Sequence, residues 1–475
     1  MTESEDLLAR LAALERPSRD LDTSADELTS WLRSLERFSA EFVTRNANGP
    51  AFHGPGSGRP APTPLPLEPA RFDRVLAEYR DLALTRSLVP TSGRFFGYVP
   101  GGALPSAAIG DYLAALTNPY AGVYAASPGA AEIENDAVRW LVEMVGYPDS
   151  AWGTLQSGGS LATLTAVVAA RETRPPGAWA RGVLYLTDEC HLAIRKALHV
   201  AGLEHVAARL VPVDDGLRMS VPALERMLRE DRAAGLEPWM VFASAGTVNT
   251  GAVDPLDSLA DLCAREGLWL HVDAAYGGFF VLVPGARERL RGMARADSVV
   301  LDPHKGLFLP YGCGAVLVRE GQRLRAGFAF TSHYLSDVHH DEDASPADYS
   351  PELTRHFRGL RLWTSLRLHG LERLRAALEE KLLLARLAHE RLSAMPEIEA
   401  GPEPQLSIAA FRVRGEGDAR TERLHARLLD RGRVYLSSTR LGGRLFLRIC
   451  VLCFRSHRAE VEEALAEIRS GLAAS

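Results

Sequence analysis

A lysine set in apolar sequence is the first residue that calls for a chemical explanation. Lys305 stands in Leu301–Gly306, LDPHKG, between the apolar runs Ser298–Leu301 and Leu307–Leu309. Lysines normally sit on solvated surface, because taking an ammonium out of water is costly. A lysine placed like this one is expected to have a lowered pKa and to act as an amine nucleophile. Asp273 is the second such residue. It ends the apolar run of Leu270–Gly278, LHVDAAYGG. A carboxylate at the end of a buried strand needs a cation or a hydrogen-bond donor. A protonated pyridine nitrogen is one such partner, and the small Ala275 leaves room for a flat ring. Capping of the following helix is the plainer alternative.

Two more segments join them. Gln156–Leu161, QSGGSL, opens a helix in which Gly158 and Gly159 let the backbone approach an anion and Ser160 adds a hydroxyl. The helix start supplies N–H groups and a positive dipole end. Thr187–His191, TDECH, places His191 after another strand, where imidazole can stack on a planar group or exchange protons. Each segment alone is a weak signal. Each also follows a predicted strand or opens the next helix, and in an open parallel sheet those ends share one rim. An anion cradle, a ring carboxylate, an aromatic plate and an amine together are what pyridoxal phosphate requires. No Walker loop, H-E-x-x-H or G-x-S-x-G occurs, so nucleotide, zinc-protease and serine-hydrolase readings lack their motifs.

The elements that position these residues are legible as patterns. Residues 1–46 read as helical, with Leu7, Leu8, Leu11 and Leu14 at helical spacing. Residues 49–69 are rich in Pro and Gly and read as a linker, and 70–87 as a further helix. The runs Val183–Leu186, Trp239–Ala243, Leu268–Val272, Ser298–Leu301 and Gly314–Val318 read as strands, with helices at 160–173, 191–201, 221–234 and 256–266 between them. This alternation predicts an α/β domain with a mainly parallel sheet. Residues 359–395 predict a long helix or helix pair with Leu371, Leu374, Leu378 and Leu382 on one stripe. The remainder reads as strand, helix, two strands joined at Gly442–Gly443, and helix. The expected division is an N-terminal helical arm and linker (1–104), a large α/β domain (105–358) and a small α+β domain (359–475).

Bulk properties narrow the classes. A chain of 475 residues is too long for one ordinary core. Its formal net charge of -6 gives no electrostatic reason to expect nucleic acid or a membrane surface as partner. The N-terminus opens acidic, without the basic start and apolar stretch of a signal peptide. The most apolar short run, Gly277–Val283, is far short of a membrane span. Five cysteines, at 190, 263, 313, 450 and 453, argue for a reducing compartment, and the cytoplasm is expected. Cys450 and Cys453 form a C-x-x-C inside the apolar run Leu445–Phe454 and read as structural. His339, His340, Asp341, Glu342 and Asp343 read as the solvated face of a lid, and no metal site is expected.

HVDAAYGG followed some thirty residues later by DPHKG resembles the group II pyridoxal-phosphate decarboxylases, which include aromatic-L-amino-acid and glutamate decarboxylases. Phe95–Gly102 (FFGYVPGG), Ala125–Glu134 (AASPGAAEIE), Arg355–Trp363 (RHFRGLRLW) and Leu445–Arg448 (LFLR) carry the likeness over most of the chain. The resemblance implies a fold-type-I architecture, similar to the pyridoxal-phosphate transferases, with active sites at a homodimer interface. It implies that Lys305 bonds the cofactor aldehyde, Asp273 binds the pyridine nitrogen, Ala275 lies beneath the ring and His191 stacks over it. Gly159, Ser160 and Ser298 would hold the phosphate, with His304 and Thr247 beside the cofactor. Phe96, Tyr98 and Arg448 would touch substrate, and Tyr334 matches the tyrosine of a mobile catalytic loop. Two departures stand out. Asp302 and Gly306 occupy positions where the aromatic enzymes usually carry Asn and Trp, and an acidic Asp302 would be a poor phosphate ligand.

The implied reaction is decarboxylation of an L-amino acid to its amine, with Tyr334 or His191 returning a proton to the substrate carbon. The rivals are an aldehyde-forming oxidative decarboxylase or another lyase on the same scaffold, an aminotransferase, and a cofactor-binding regulator without turnover. The residues do not fix the substrate side chain.

Overall fold

The computed structural model describes residues 2–54, 64–85, 87–175, 177–329, 344–415 and 417–473. The chain separates into two compact units, Met1–Val89 and Pro90–Ser475. In the first, the predicted helical stretch is two helices, Glu3–Arg19 and Ala25–Asn48. Each is capped by a hydroxyl: Thr2 accepts from the Glu5 amide and Ser24 from the Glu27 amide. Leu7, Leu8, Leu11 and Leu14 are all exposed. The helix Phe72–Tyr79 continues into a π-helical turn, Arg80–Leu84.

The second unit holds twelve strands among the described residues, in two sheets. They are β1 (Phe95–Phe96), β2 (Trp152–Gln156), β3 (Gly182–Leu186), β4 (Ala207–Leu210), β5 (Glu237–Ser244) and β6 (Trp269–Asp273). There follow β7 (Ser298–Leu301), β8 (Gly314–Val318), β9 (Ile398–Ala400), β10 (Ile408–Val413), β11 (Tyr435–Leu441) and β12 (Arg444–Cys450). The larger sheet has the order β2-β8-β7-β6-β5-β3-β4. Only β8 runs against its neighbours. The architecture is therefore α/β with a mainly parallel sheet, as in fold-type-I enzymes. Two strands were not evident as patterns. β2 is a short edge strand interrupted by Gly153, and β4 is an edge strand whose residues alternate between partly buried and exposed.

Both faces of the large sheet are covered, which is why its strands read as continuous apolar runs. Val183, Tyr185, Val241, Leu270, Val272 and Val299 pack on one face with helices Val221–Ala233 and Leu256–Glu266. Leu184, Leu186, Met240, Phe242 and Val300 pack on the other with helices Gly159–Arg171 and Leu192–Val200. Alternate residues of each strand thus enter different cores, and a one-residue slip would exchange them. Burying each large apolar side chain contributes about 1.5–3 kcal/mol, so register is strongly fixed.

The smaller sheet, β1-β11-β12-β10-β9, packs on helices Leu371–Ser393, Ala419–Arg431 and Arg458–Ala473. The predicted helix pair breaks at Gly370, whose φ of 71° suits glycine. No helix among the described residues is long and apolar enough to cross a membrane.

Candidate active site

The parallel strands bring separate chain segments to one rim of the large sheet. Asp273 is the last residue of β6, Asp302 follows β7, Ser157 follows β2 and Ser244 ends β5. Because β8 is antiparallel, its first residue, Gly314, starts at the same rim, opposite Gln156. A cavity of about 300 Å³ opens there. Its lining brings together Gly159, Ser160, His191, Thr247, Asp273, Ala275, His304 and Lys305. A larger cavity of about 720 Å³ lies elsewhere, lined in part by Trp239, Trp269 and Asp297, and has neither lysine nor Asp273 in its lining. Chemistry rather than size marks the smaller one.

Local structure explains how each group is presented. The turn Pro303–Gly306 is a single helical turn after β7, with the Lys305 amide bonded to Asp302 O. Lys305 Nζ lies 2.8 Å from Asp302 Oδ2. Burial pulls the lysine pKa down, but the Asp302 carboxylate, with Asp273 beside it, outweighs burial and raises it. The lowered pKa expected from the apolar flanks is therefore corrected: the acid three residues earlier supplies a counterion. His304 donates from Nδ1 to Cys313 O at 2.6 Å. Burial lowers its pKa. Asp273 Oδ1 accepts the Ala275 amide at 3.1 Å. His191 caps helix Leu192–Val200, its Nδ1 accepting the Ala193 N–H at 3.2 Å, which leaves the ring proton on Nε2.

The glycine-rich segment forms a cradle. Leu161 and Ala162 donate to Gly158 O, so the Gly159 and Ser160 amides precede the helical ladder. A Cβ on Gly159 would lie 2.9 Å from Asp302 Oδ2 and 3.4 Å from Ala275 Cβ. Any larger residue would fill the space. Thr247 donates its amide to Ala252 O, and its hydroxyl oxygen accepts the Ala252 N–H.

Other predicted residues lie elsewhere. Ser298 is corrected: it starts β7 at the opposite end of the strand, three residues or ~10 Å from Leu301. Its Oγ accepts Trp269 Nε1–H at 2.9 Å and bonds His271 Nδ1 at 2.8 Å, so it is structural there and not a phosphate ligand. Phe96 is likewise corrected, being fully buried in the small-sheet core with Phe411 and Leu436. Tyr98 is outside the cavity lining, exposed, with its hydroxyl 3.4 Å from Tyr435 Oη. Arg448 is also outside the lining; its guanidinium donates to Asn249 O, Val248 O and Ser437 Oγ. It clamps the loop that carries Thr247 and Val248. Tyr334 and the 339–343 cluster lie outside the described residues. All five cysteines are free, and no group of potential metal ligands occurs among the described residues. Asp302 is the site residue that the sequence reading set aside. Its position one helical turn before Lys305 was the available signal.

The residues fit pyridoxal phosphate. The cavity offers an amine for an aldehyde, a carboxylate for a ring nitrogen, and a glycine cradle at a helix start. Such a rim on such a sheet defines a lysine-dependent α/β cofactor enzyme. Comparison with known proteins narrows the class. Residues 55–414 match the model of the pyridoxal-dependent decarboxylase conserved domain. The aromatic-L-amino-acid decarboxylase of Bacillus atrophaeus is 35% identical over 385 residues, covering 79% of this chain and 80% of that protein. The Sus scrofa aromatic-L-amino-acid decarboxylase is 30% identical, covering 88% of this chain and 90% of that one. The crystal structure of Oryza sativa TDC with PLP and tryptamine aligns with a TM-score of 0.88 at 27% identity, over 95% of this chain and 98% of that chain. The chain belongs to the pyridoxal-dependent decarboxylase family. It is a pyridoxal-phosphate-dependent carboxy-lyase that decarboxylates an amino acid.

Proposed function

We propose that the substrate is an L-amino acid with an aromatic side chain, converted to its amine and carbon dioxide at the strand-end cavity. The observation that carries the siting is the convergence of Lys305, Asp273, His191 and the Gly159–Ser160 helix start on one cavity of about 300 Å³. The substrate class is supported by the 35% identity to an aromatic-L-amino-acid decarboxylase.

In this reading Lys305 Nζ would be the amine that bonds the cofactor aldehyde. Asp273 would hold the proton on the pyridine nitrogen. Ala275 and His191 would wall the ring, the Gly159 and Ser160 amides would receive the phosphate, and Thr247 and His304 would complete the wall. When bound, pyridoxal phosphate supplies an electron sink for the pair left behind by departing carbon dioxide. His191 carries its proton on Nε2 and is one described residue able to return a proton to the substrate carbon. Tyr276 and Val248 add carbon surface to the lining and limit water. Arg448 acts on the cavity through the Val248 and Asn249 carbonyls it clamps.

The test is to supply the holoenzyme with each aromatic L-amino acid, L-histidine, L-glutamate, cysteine sulfinate and diaminobutyrate, and to measure carbon dioxide, amine and aldehyde. Amine formed fastest from an aromatic substrate is the expected result. Carbon dioxide released only from acidic or basic substrates would overturn the substrate class, and aldehyde as the main product would overturn the amine.

The proposed assembly is a homodimer. Helix Pro105–Thr117 leaves Ile109, Tyr112, Leu113 and Leu116 exposed, a stripe of the kind that subunit contacts cover. A solution mass of one chain at micromolar concentration would refute it.

A further inference from the structure

Asp302 has surroundings that a structural cap would not need. Its side chain is 2% exposed, and Oδ2 lies 2.8 Å from Lys305 Nζ. The same oxygen is 3.6 Å from His304 Nε2, while His304 Nδ1 is committed to Cys313 O. The other oxygen, Oδ1, is buried with no hydrogen-bond partner among the described residues. Asp302 caps nothing through its side chain. Glycines face it on two sides: a Cβ on Gly159 would sit 2.9 Å from Oδ2, and one on Gly314 would sit 2.8 Å from Oδ1. The carboxylate is thus packed between the anion cradle and the amine, and its one strong contact is to the amine.

We propose that Asp302 is a positioning residue that clasps the free Lys305 ammonium, so that opening this ion pair gates bonding of Lys305 to the cofactor. The proposal rests on the reading of Lys305 as the cofactor-bearing lysine. The step it governs is balanced without any further reagent. The ion pair opens and Nζ gives one proton to solvent. The nitrogen then bonds the cofactor's aldehyde carbon, and the aldehyde oxygen leaves as water. The clasp also has a role in turnover. Whenever an incoming substrate amine frees Lys305, the lysine gains a proton and returns to Asp302, where it is a poor nucleophile until the pair opens again. Asp302 is therefore a brake on loading and a parking place during turnover. The other groups facing Lys305 are Asp273, which also favours the ammonium, and His304, Tyr311 and Cys450. Burial opposes the charge, and the two aspartates outweigh it.

The chain makes a direct test practical, because its lysines are Lys196, Lys305 and Lys381 alone. Full-length cofactor-free protein carrying [ε-¹³C]lysine should show three lysine signals, with Lys196→Arg assigning the exposed one. The Lys305 signal of the wild type is expected to titrate above an ordinary lysine. In Asp302→Asn its midpoint should fall by about one unit or more, and pyridoxal phosphate should load at neutral pH about tenfold faster. Loading is followed by absorbance and by borohydride trapping with peptide mapping. An Asp302→Asn protein that keeps the wild-type midpoint and loading rate overturns the proposal. Should that variant not fold, a wild-type Lys305 midpoint at or below an ordinary lysine overturns it equally, and one above supports it. Trapping of the cofactor on Lys196 or Lys381 would instead overturn the assignment of Lys305 itself, and the two failures are read from different measurements.

Discussion

Two lysines are withdrawn from the surface, in two regions that use them differently: Lys305 is partly buried and Lys381 fully. Lys305 lies in a single helical turn at the rim of the large sheet, lines a cavity, pairs with Asp302 and has Asp273 nearby. Lys381 lies mid-helix in Leu371–Ser393, is fully buried, and donates to Ser456 O at 2.6 Å and Glu380 Oε2 at 2.7 Å. Burial lowers the Lys381 pKa despite Glu380, whereas Asp302 and Asp273 raise that of Lys305. Depth and a depressed pKa therefore do not mark the reactive amine. Lys381 ties a helix to the loop before Arg458–Ala473 and has no cavity in front of it among those described. Lys305 has open space beside its one ion-pair partner, so its amine can change partners. What distinguishes a chemical lysine here is an exchangeable partner next to a void.

The sharpest way to break that contrast is to remove each lysine. Lys305→Ala is expected to lose the visible absorbance of bound pyridoxal phosphate and at least ~10³-fold in turnover, as for loss of a covalent catalyst. A variant that retains both would refute the role. Asp273→Asn comes next. It should keep bound cofactor but lose ~10²-fold in kcat, since an amide holds the ring proton poorly. An unchanged kcat would leave Asp273 as no more than the acceptor of the Ala275 amide.

A third prediction contrasts the rim with the opposite end of the same strands. His271 is wholly buried, and burial pushes its pKa down to about 3. Its Nδ1 bonds Ser298 Oγ, and Nε2 has no partner among the described residues. The folded state therefore keeps His271 neutral while the unfolded chain protonates it near 6.5. Between those values the unfolded state binds the extra proton, so stability from this group is present above about pH 6.5 and lost as pH falls. The loss approaches about 1.4 kcal/mol per pH unit. Denaturant titrations between pH 6 and 4 should show a shallower decline in His271→Gln than in the wild type. Equal slopes would mean that another group carries the acid sensitivity.

The smallest effect is expected from Lys381→Met. Removing one partner of an ion pair costs most when the other charge is left buried and unpaired, whereas Glu380 is 37% exposed and keeps His457 at 2.8 Å. Turnover should stay within about twofold, with the melting temperature moving by a few degrees. Loss of cofactor absorbance in this variant would erase the distinction between the two lysines.

Ser298–Leu301 and Gly314–Val318 are strands with the ends their apolar runs suggest, because both are buried on two faces. Trp152–Gln156 carries no clear strand pattern, because it is short, contains Gly153 and joins the sheet only through β8. Ser298 and Phe96 lie in segments that resemble the family, yet neither reaches the cavity. A segment match does not say at which end of a strand, or on which side of a sheet, a residue falls.

By itself, the sequence determined that an α/β unit would carry a lysine, an aspartate, a histidine and a glycine-rich helix start at strand ends. Local periodicity and turn chemistry encode those elements, and strand direction sends their ends to one rim. Tertiary structure alone decided what those residues face. It packed Asp302 between Gly159 and Gly314, sent Ser298 into the Trp269–His271 network, and clamped the Thr247–Asn249 loop with Arg448 from the far end of the chain. The physical reason is that a charge's behaviour depends on neighbours within a few ångströms. In the Arg448 clamp, those neighbours come from segments some two hundred residues apart.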